Sequence, residues 1–178
     1  MASLLRPTRP LVLGTLFLVL ACAPQGEDPG HSNLQFEIAL SPDIDSGPLD
    51  GRVLLLISET GDPEPRFQSL RSTEPPQLFG GDVEALGPGE STIFGYGSRG
   101  YPLESVHEIP AGDYFVQAVF NVYTTFERAD GFTIKAHMDQ WEGQQWNRSP
   151  GNLTSPVERV RIDPASDETI RLTLDSRI

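Results

Sequence analysis

Few residues in this chain have the type and spacing that chemistry needs. Ser98 lies in Gly95-Tyr-Gly-Ser98-Arg-Gly100. A strained nucleophile elbow requires Gly-x-Ser-x-Gly, and Tyr96 stands where the first glycine belongs, so Ser98 reads as a loop serine. The histidines are His31, His107 and His137. His107-Glu108 and His137-x-Asp139 offer metal-ligand types, but zinc needs three or four convergent donors. Neither helical histidine spacing nor a cysteine partner supports such a site, and no metal or other cofactor is expected. Asp43 with Asp45, and Asp139 with Glu142, are the carboxylate pairs to weigh as general acid and base or as calcium ligands. Neither pair has a regular loop spacing, and a solvated acidic surface accounts for both.

Trp141 and Trp146 stand out by their company. Gln140, Gln144, Gln145, Asn147 and Arg148 surround them, an unusual setting for core aromatics. Three uses fit: indoles covering one end of the fold, a platform on which sugar rings stack, or a hot spot for a protein partner, where Trp and Arg predominate. Asn152-Leu-Thr154 matches a glycosylation sequon and reads as coincidence.

The chain holds a single cysteine, Cys22, so neither an intramolecular disulfide nor a multi-cysteine metal site can form. Arg6 and Arg9 precede an apolar stretch from Leu11 to Ala21, too short for a span of about 20 residues but suited to a signal peptide. Val19-Leu-Ala-Cys22 resembles the lipobox of bacterial lipoproteins, in which the cysteine is diacylated before cleavage. That resemblance implies an exported protein with a signal peptide over 1–21 and a thioether-linked lipid on Cys22. Two acyl chains suffice for stable anchoring. Ala23 is not the aspartate of an inner-membrane retention signal, which points to an outer membrane. The alternative is an ordinary signal peptide cut near Ala21 or Ala23.

The full chain has a formal charge of −12, and removing residues 1–21 leaves 11 basic against 25 acidic side chains, a formal −14. No basic stripe survives, so nucleic acid is not an expected partner. Residues 22–33 contain no large apolar side chain and read as a flexible tether. Residues 34–178 have the length of one domain.

The periodicity of that domain is that of strands. Leu34, Phe36, Ile38 and Leu40 alternate onto one face. Arg52 to Ser58 is a continuous apolar run, the pattern of a central strand covered on both sides. Strands are also expected over Ser91–Gly95, Asp113–Thr125, Val157–Ile162 and Thr169–Leu174, with turns at Gly61–Pro65, Gly87–Gly89 and Ala129–Gly131. Short strands separated by Gly/Pro turns predict an all-β, Ig-like β-sandwich. Ile109-Pro-Ala-Gly112-Asp-Tyr114 has the form of a tyrosine corner, which makes Gly112 and Tyr114 structural.

Several pieces of the domain resemble the N-terminal module of secreted esterases related to enterochelin esterase. They are Gly51-Arg-Val, Glu64-Pro-Arg-Phe67, Phe79-Gly-Gly-Asp-Val83, Gly100-Tyr-Pro-Leu-Glu-Ser105, Pro110-Ala-Gly-Asp-Tyr114, Phe120-Asn-Val-Tyr-Thr-Thr125 and, most specifically, His137 to Leu153. In those proteins the module precedes an α/β-hydrolase domain that carries the nucleophilic serine. Ile178 comes too early for such a domain. The resemblance therefore implies a non-catalytic accessory or binding module at the cell envelope, whose partner is a separate hydrolase or an envelope glycan. The alternatives are an enzyme acting on esters or glycans through loop carboxylates, and one part of a split esterase.

Overall fold

The computed structural model describes residues 32–44 and 46–178. The expected signal peptide, Cys22, His31 and Asp45 lie outside the described residues. The strands in order are β1 (Gln35–Leu40), β2 (Leu49–Ser58), β3 (Gln77–Leu86), β4 (Ser91–Phe94), β5 (Gly100–Tyr101), β6 (Gly112–Val122), β7 (Thr124–Glu127), β8 (Thr133–Ala136), β9 (Leu153–Thr154), β10 (Glu158–Ile162), β11 (Thr169–Leu174) and β12 (Ser176–Arg177). Single 3₁₀ turns occur at Pro65–Phe67 and Val106–Glu108. The fold is an all-β sandwich.

One layer is the small sheet β11-β1-β4 and the other the large sheet β12-β9-β6-β2-β3-β5, with β10 also paired to β6. Strands β1 and β11 run parallel in a register that sets Phe36 beside Ile170, Ile38 beside Leu172 and Leu40 beside Leu174. Because side chains alternate along a strand, this register turns all six residues toward the large sheet. There they meet Val53, Leu55, Ile57, Phe79, Val116, Ala118 and Phe120, and together these residues form the principal core. Burying each large side chain contributes about 1.5–3 kcal/mol.

The opposite face of the large sheet is also apolar. Leu54, Leu56 and Val119 are buried there, with Leu78 and Trp146 packed against them. The uninterrupted apolar run of β2 thus faces the core on one side and a covering loop on the other.

Strand β3 carries little intrinsic β-propensity, since Gly80 and Gly81 interrupt it. Its neighbours hold it. The Arg52 guanidinium lies across Gly80, donating to the Gly80 carbonyl (3.1 Å) and to Asp82 (3.0 Å). The strand expected over Asp113–Thr125 is divided in the structure: β6 ends at Val122, and β7 turns away to pair with β8 alone. The Arg128–Phe132 turn closes this hairpin around Gly131 at φ +84°.

Ser32 and Asn33, which composition alone assigns to the tether, are bound to the domain. The Ser32 hydroxyl donates to the Pro164 carbonyl, and Asn33 donates through its backbone and side chain to Asp167. Hydrogen bonds fasten these residues without any apolar burial.

Gly51 sits where β2 runs between β3 and β6. A Cβ there would lie 2.3 Å from the Asn121 carbonyl oxygen and 2.6 Å from Phe120 Cε2. Gly51→Ala should cost about 1–3 kcal/mol through overpacking against backbone. Gly47→Ala, with open space around the new methyl, should change stability by less than about 0.5 kcal/mol. Urea unfolding midpoints of the two variants check both values.

Candidate functional site

The segment between β8 and β9, residues 137–152, gathers most of the residues that stand out in the sequence. His137 follows β8 directly. Its Nε2 lies 2.8 Å from Glu142 Oε1, and the two side chains are only 12% and 6% exposed. The other Glu142 oxygen accepts from the Gln140 N–H (2.7 Å). Asp139 Oδ1 accepts from the N–H groups of Trp141 (2.9 Å) and Gly143 (3.2 Å). The Gln140 carboxamide donates to the Pro150 carbonyl, closing the segment across its width.

These bonds hold a backbone that would not adopt this shape unaided. Trp141, Gly143 and Gln144 all have positive φ (+80°, +73° and +62°). For the two non-glycine residues that costs on the order of 1–3 kcal/mol each. Burial pushes the Glu142 carboxyl up, but hydrogen bonds from His137 and from the Glu142 and Gln140 amides outweigh it and bring its pKa down to about 2. Asp139 and Glu142 are therefore loop fasteners, and Glu142 is shielded rather than solvated.

The two tryptophans part company. Trp146 packs on Leu54, Leu56 and Val119, and its carbonyl accepts from the Asn152 side chain (2.8 Å). Asn147 and Arg66 exchange two hydrogen bonds, the Asn147 side chain to the Arg66 carbonyl (2.9 Å) and the Arg66 guanidinium to the Asn147 carbonyl (3.0 Å). The Arg66 N–H donates to Gln117 on the sheet (3.1 Å). Trp146 and Asn147 thus pin the loop over the outer face. Trp141, by contrast, is fully exposed. Gln140, Gln145 and Arg148 are exposed as well, and the Arg148 guanidinium lies 5.9 Å from the centre of the Phe67 ring.

The remaining candidates sit elsewhere. The Ser98 hydroxyl accepts from the Gly95 N–H (3.0 Å), closing its own turn after β4. His107 lies in the 3₁₀ turn before β6, with Nε2 2.9 Å from the Ser32 carbonyl. Both line one shallow surface pocket, alongside Glu104 and Glu108. Asp43 follows β1, and its N–H donates to the Ser41 hydroxyl. Among the described residues no three ligating side chains converge. Asn152 is buried, its carboxamide spent on Val122, Asn121 and Trp146, so the sequon is closed to a glycosylating enzyme in the folded chain.

The Tyr114 hydroxyl donates to the Pro110 carbonyl (2.9 Å), and its ring leaves only 3.2 Å for a Cβ at Gly112. Burial, with Glu59 adding to it, pushes this phenol up. Tyr114 also borders a groove of about 500 Å³ floored by Ile57, Leu103 and Ile109. A smaller cavity of about 180 Å³ lies under the 137–152 loop and includes Ser149 and Arg177, which nothing in their local sequence marks. Only the folding of β12 beside β9 brings Arg177 there.

No protein-family model, curated protein or solved structure matches this chain.

Because the folded-state pKa of Glu142 is depressed from 4.5 to about 2, its stabilisation of the loop is present above pH 4.5 and is lost as pH falls toward 2. The protection factor of the Gln140 amide should fall across that window, ahead of those in β2 and β6. Glu142→Gln should remove most of this pH dependence.

Proposed function

We propose that this chain is a non-catalytic binding module of a bacterial cell envelope, anchored through lipid on Cys22, and that the Trp141 loop is its recognition surface. One observation carries the reading: an indole fully exposed at the tip of a loop fastened at both ends. Leaving that much apolar surface in water is unfavourable unless a ligand covers it, and a preorganised loop loses little entropy on binding.

The resemblance to the front module of secreted esterases supports the same reading. The residues that carry it most specifically, His137 to Leu153, are those of the loop. We read the chain as the ligand-holding part of such a system. The alternative of an esterase or glycosidase acting through loop carboxylates has less to stand on. Asp139 and Glu142 are occupied with backbone amides and His137, and Ser98 with its own turn.

Full-length protein purified from envelopes, beside Trp141→Ala, tests the recognition surface. The variant should keep its unfolding midpoint, since an exposed side chain away from the core changes stability by less than about 0.5 kcal/mol. Its capture of envelope material should fall at least tenfold. Trp146→Ala should instead cost stability, about 2–3 kcal/mol for a half-buried indole. Equal capture by the unmodified and Trp141→Ala proteins would sink the reading.

Lipidation is checked separately. Mass spectrometry of the unsubstituted protein should find a diacylglycerol-sized addition on an N-terminal peptide that begins at Cys22, and Cys22→Ser should abolish both that mass and the cleavage before residue 22. An N-terminal peptide of the unsubstituted protein that lacks this mass would exclude the anchor.

A further inference from the structure

The cavity beside the loop is lined by Val122, Thr124 and Arg177 together with His137, Gln140 and Ser149 from the loop. Ser149 is 1% exposed, and its hydroxyl has no hydrogen-bond partner among the described residues. Native folds keep few such groups, because a buried hydroxyl without a partner loses its hydration for nothing. Arg177 spends one N–H on the Gly151 carbonyl (3.2 Å) and has others to offer. The exposed Gln140 side chain, tied to the Pro150 carbonyl (2.9 Å), is a further part of the lining. Trp141 is the next residue in the chain.

A hydroxyl, an amide and a guanidinium around a small cavity, with an exposed indole on the residue that follows Gln140, match a ring that carries hydroxyl groups at its edge and C–H groups on its faces. An anion fits less well: His137 is engaged by the Glu142 carboxylate, and the chain as a whole is strongly acidic. At about 180 Å³ the cavity is below the range of sites that enclose a whole drug-sized ligand, roughly 300–1,000 Å³, so it suits one unit of a longer molecule.

The cavity also has a direction. The described chain enters the fold at Ser32, held by His107 and Pro164 beside the first residues of β6. Val122 is the last residue of β6, an 11-residue strand. At about 3.3 Å per residue, that places the cavity roughly 35 Å from the tether end. A domain anchored through Cys22 can then turn the loop away from its own membrane.

We infer that the cavity and Trp141 together bind one uncharged sugar ring of an envelope polysaccharide, at the pole opposite the lipid anchor. The inference rests on reading the loop as the binding surface, and adds to it the ligand class and the residues Ser149 and Arg177. The sugar has two possible sources, the insoluble wall polysaccharide and the glycolipid of the anchoring membrane; the polar placement favours the first.

The test is co-sedimentation of detergent-solubilised full-length protein with insoluble wall polysaccharide from the native cells, in parallel with flotation on vesicles of extracted glycolipid. The protein should sediment with the wall polysaccharide. Ser149→Ala should reduce the bound fraction at least fivefold while its unfolding midpoint stays equal or rises, because the variant deletes an unpartnered buried hydroxyl. Arg177→Met, on the exposed rim, should weaken binding similarly, and provides the test should Ser149→Ala fold poorly. Undiminished binding by both variants overturns the inference, as does a loss of binding by Ser149→Ala that only tracks a lowered midpoint. Binding to glycolipid vesicles alone overturns the polar placement. If Trp141→Ala abolishes capture of a protein while Ser149→Ala and Arg177→Met do not, the recognition loop stands and the sugar falls. If Trp141→Ala changes nothing, both fall.

Discussion

Strand β2 carries large apolar side chains on both faces, and water must be kept from both. The small sheet covers Val53, Leu55 and Ile57. Among the described residues no second sheet lies above Leu54 and Leu56. Their cover is improvised from Trp146 in the loop before β9, with the Pro65–Phe67 turn stitched beside it through Arg66, Asn147 and Gln117. The course of residues 137–152 follows from this need: a segment crossing the sheet to seat Trp146 must leave β8 and return to β9 on a defined path.

That path explains how one tryptophan comes to stabilise the fold while the other faces solvent. The four residues between them include Gly143 and Gln144 in left-handed conformations, and the turn so made lifts Trp141 off the surface that Trp146 occupies. Such a turn persists because carboxylates bind the amides at its tip. Asp139 and Glu142 accept N–H groups that would otherwise lack partners inside the turn, and His137 shields Glu142 from water. Core packing, loop fastening and the presentation of Trp141 are therefore one connected arrangement. Disturbing Trp146 should be felt at Trp141.

Much of the architecture is legible in the sequence. The alternation of Phe36, Ile38 and Leu40, and that of Ile170, Leu172 and Leu174, marks two strands whose apolar faces lie together. The run through Leu54, Leu55 and Leu56 marks a strand covered on both sides. Strand β3 was not legible, because Gly80 and Gly81 remove the local signal and Arg52 supplies the hold from another strand. The break after Val122 was equally hidden: Tyr123 to Thr125 has the composition of continuing strand, and only the pairing of β7 with β8 turns the chain aside.

The sequence settles the class of fold and marks the loop as unusual, because strand periodicity and the company of the tryptophans are local properties of adjacent residues. Which indole is buried, which acids are shielded, and which residues meet beneath the loop were decided by the tertiary structure. Trp141 and Trp146 are chemically the same, and their difference arises from Leu54, Leu56 and Val119 lying under one and not the other. Ser149 and Arg177 lie 28 residues apart, counting from 149 to 177, and line one cavity through the return of the last strand to β9. Long-range pairing of this kind follows from the joint burial of many side chains, which no local stretch of residues encodes.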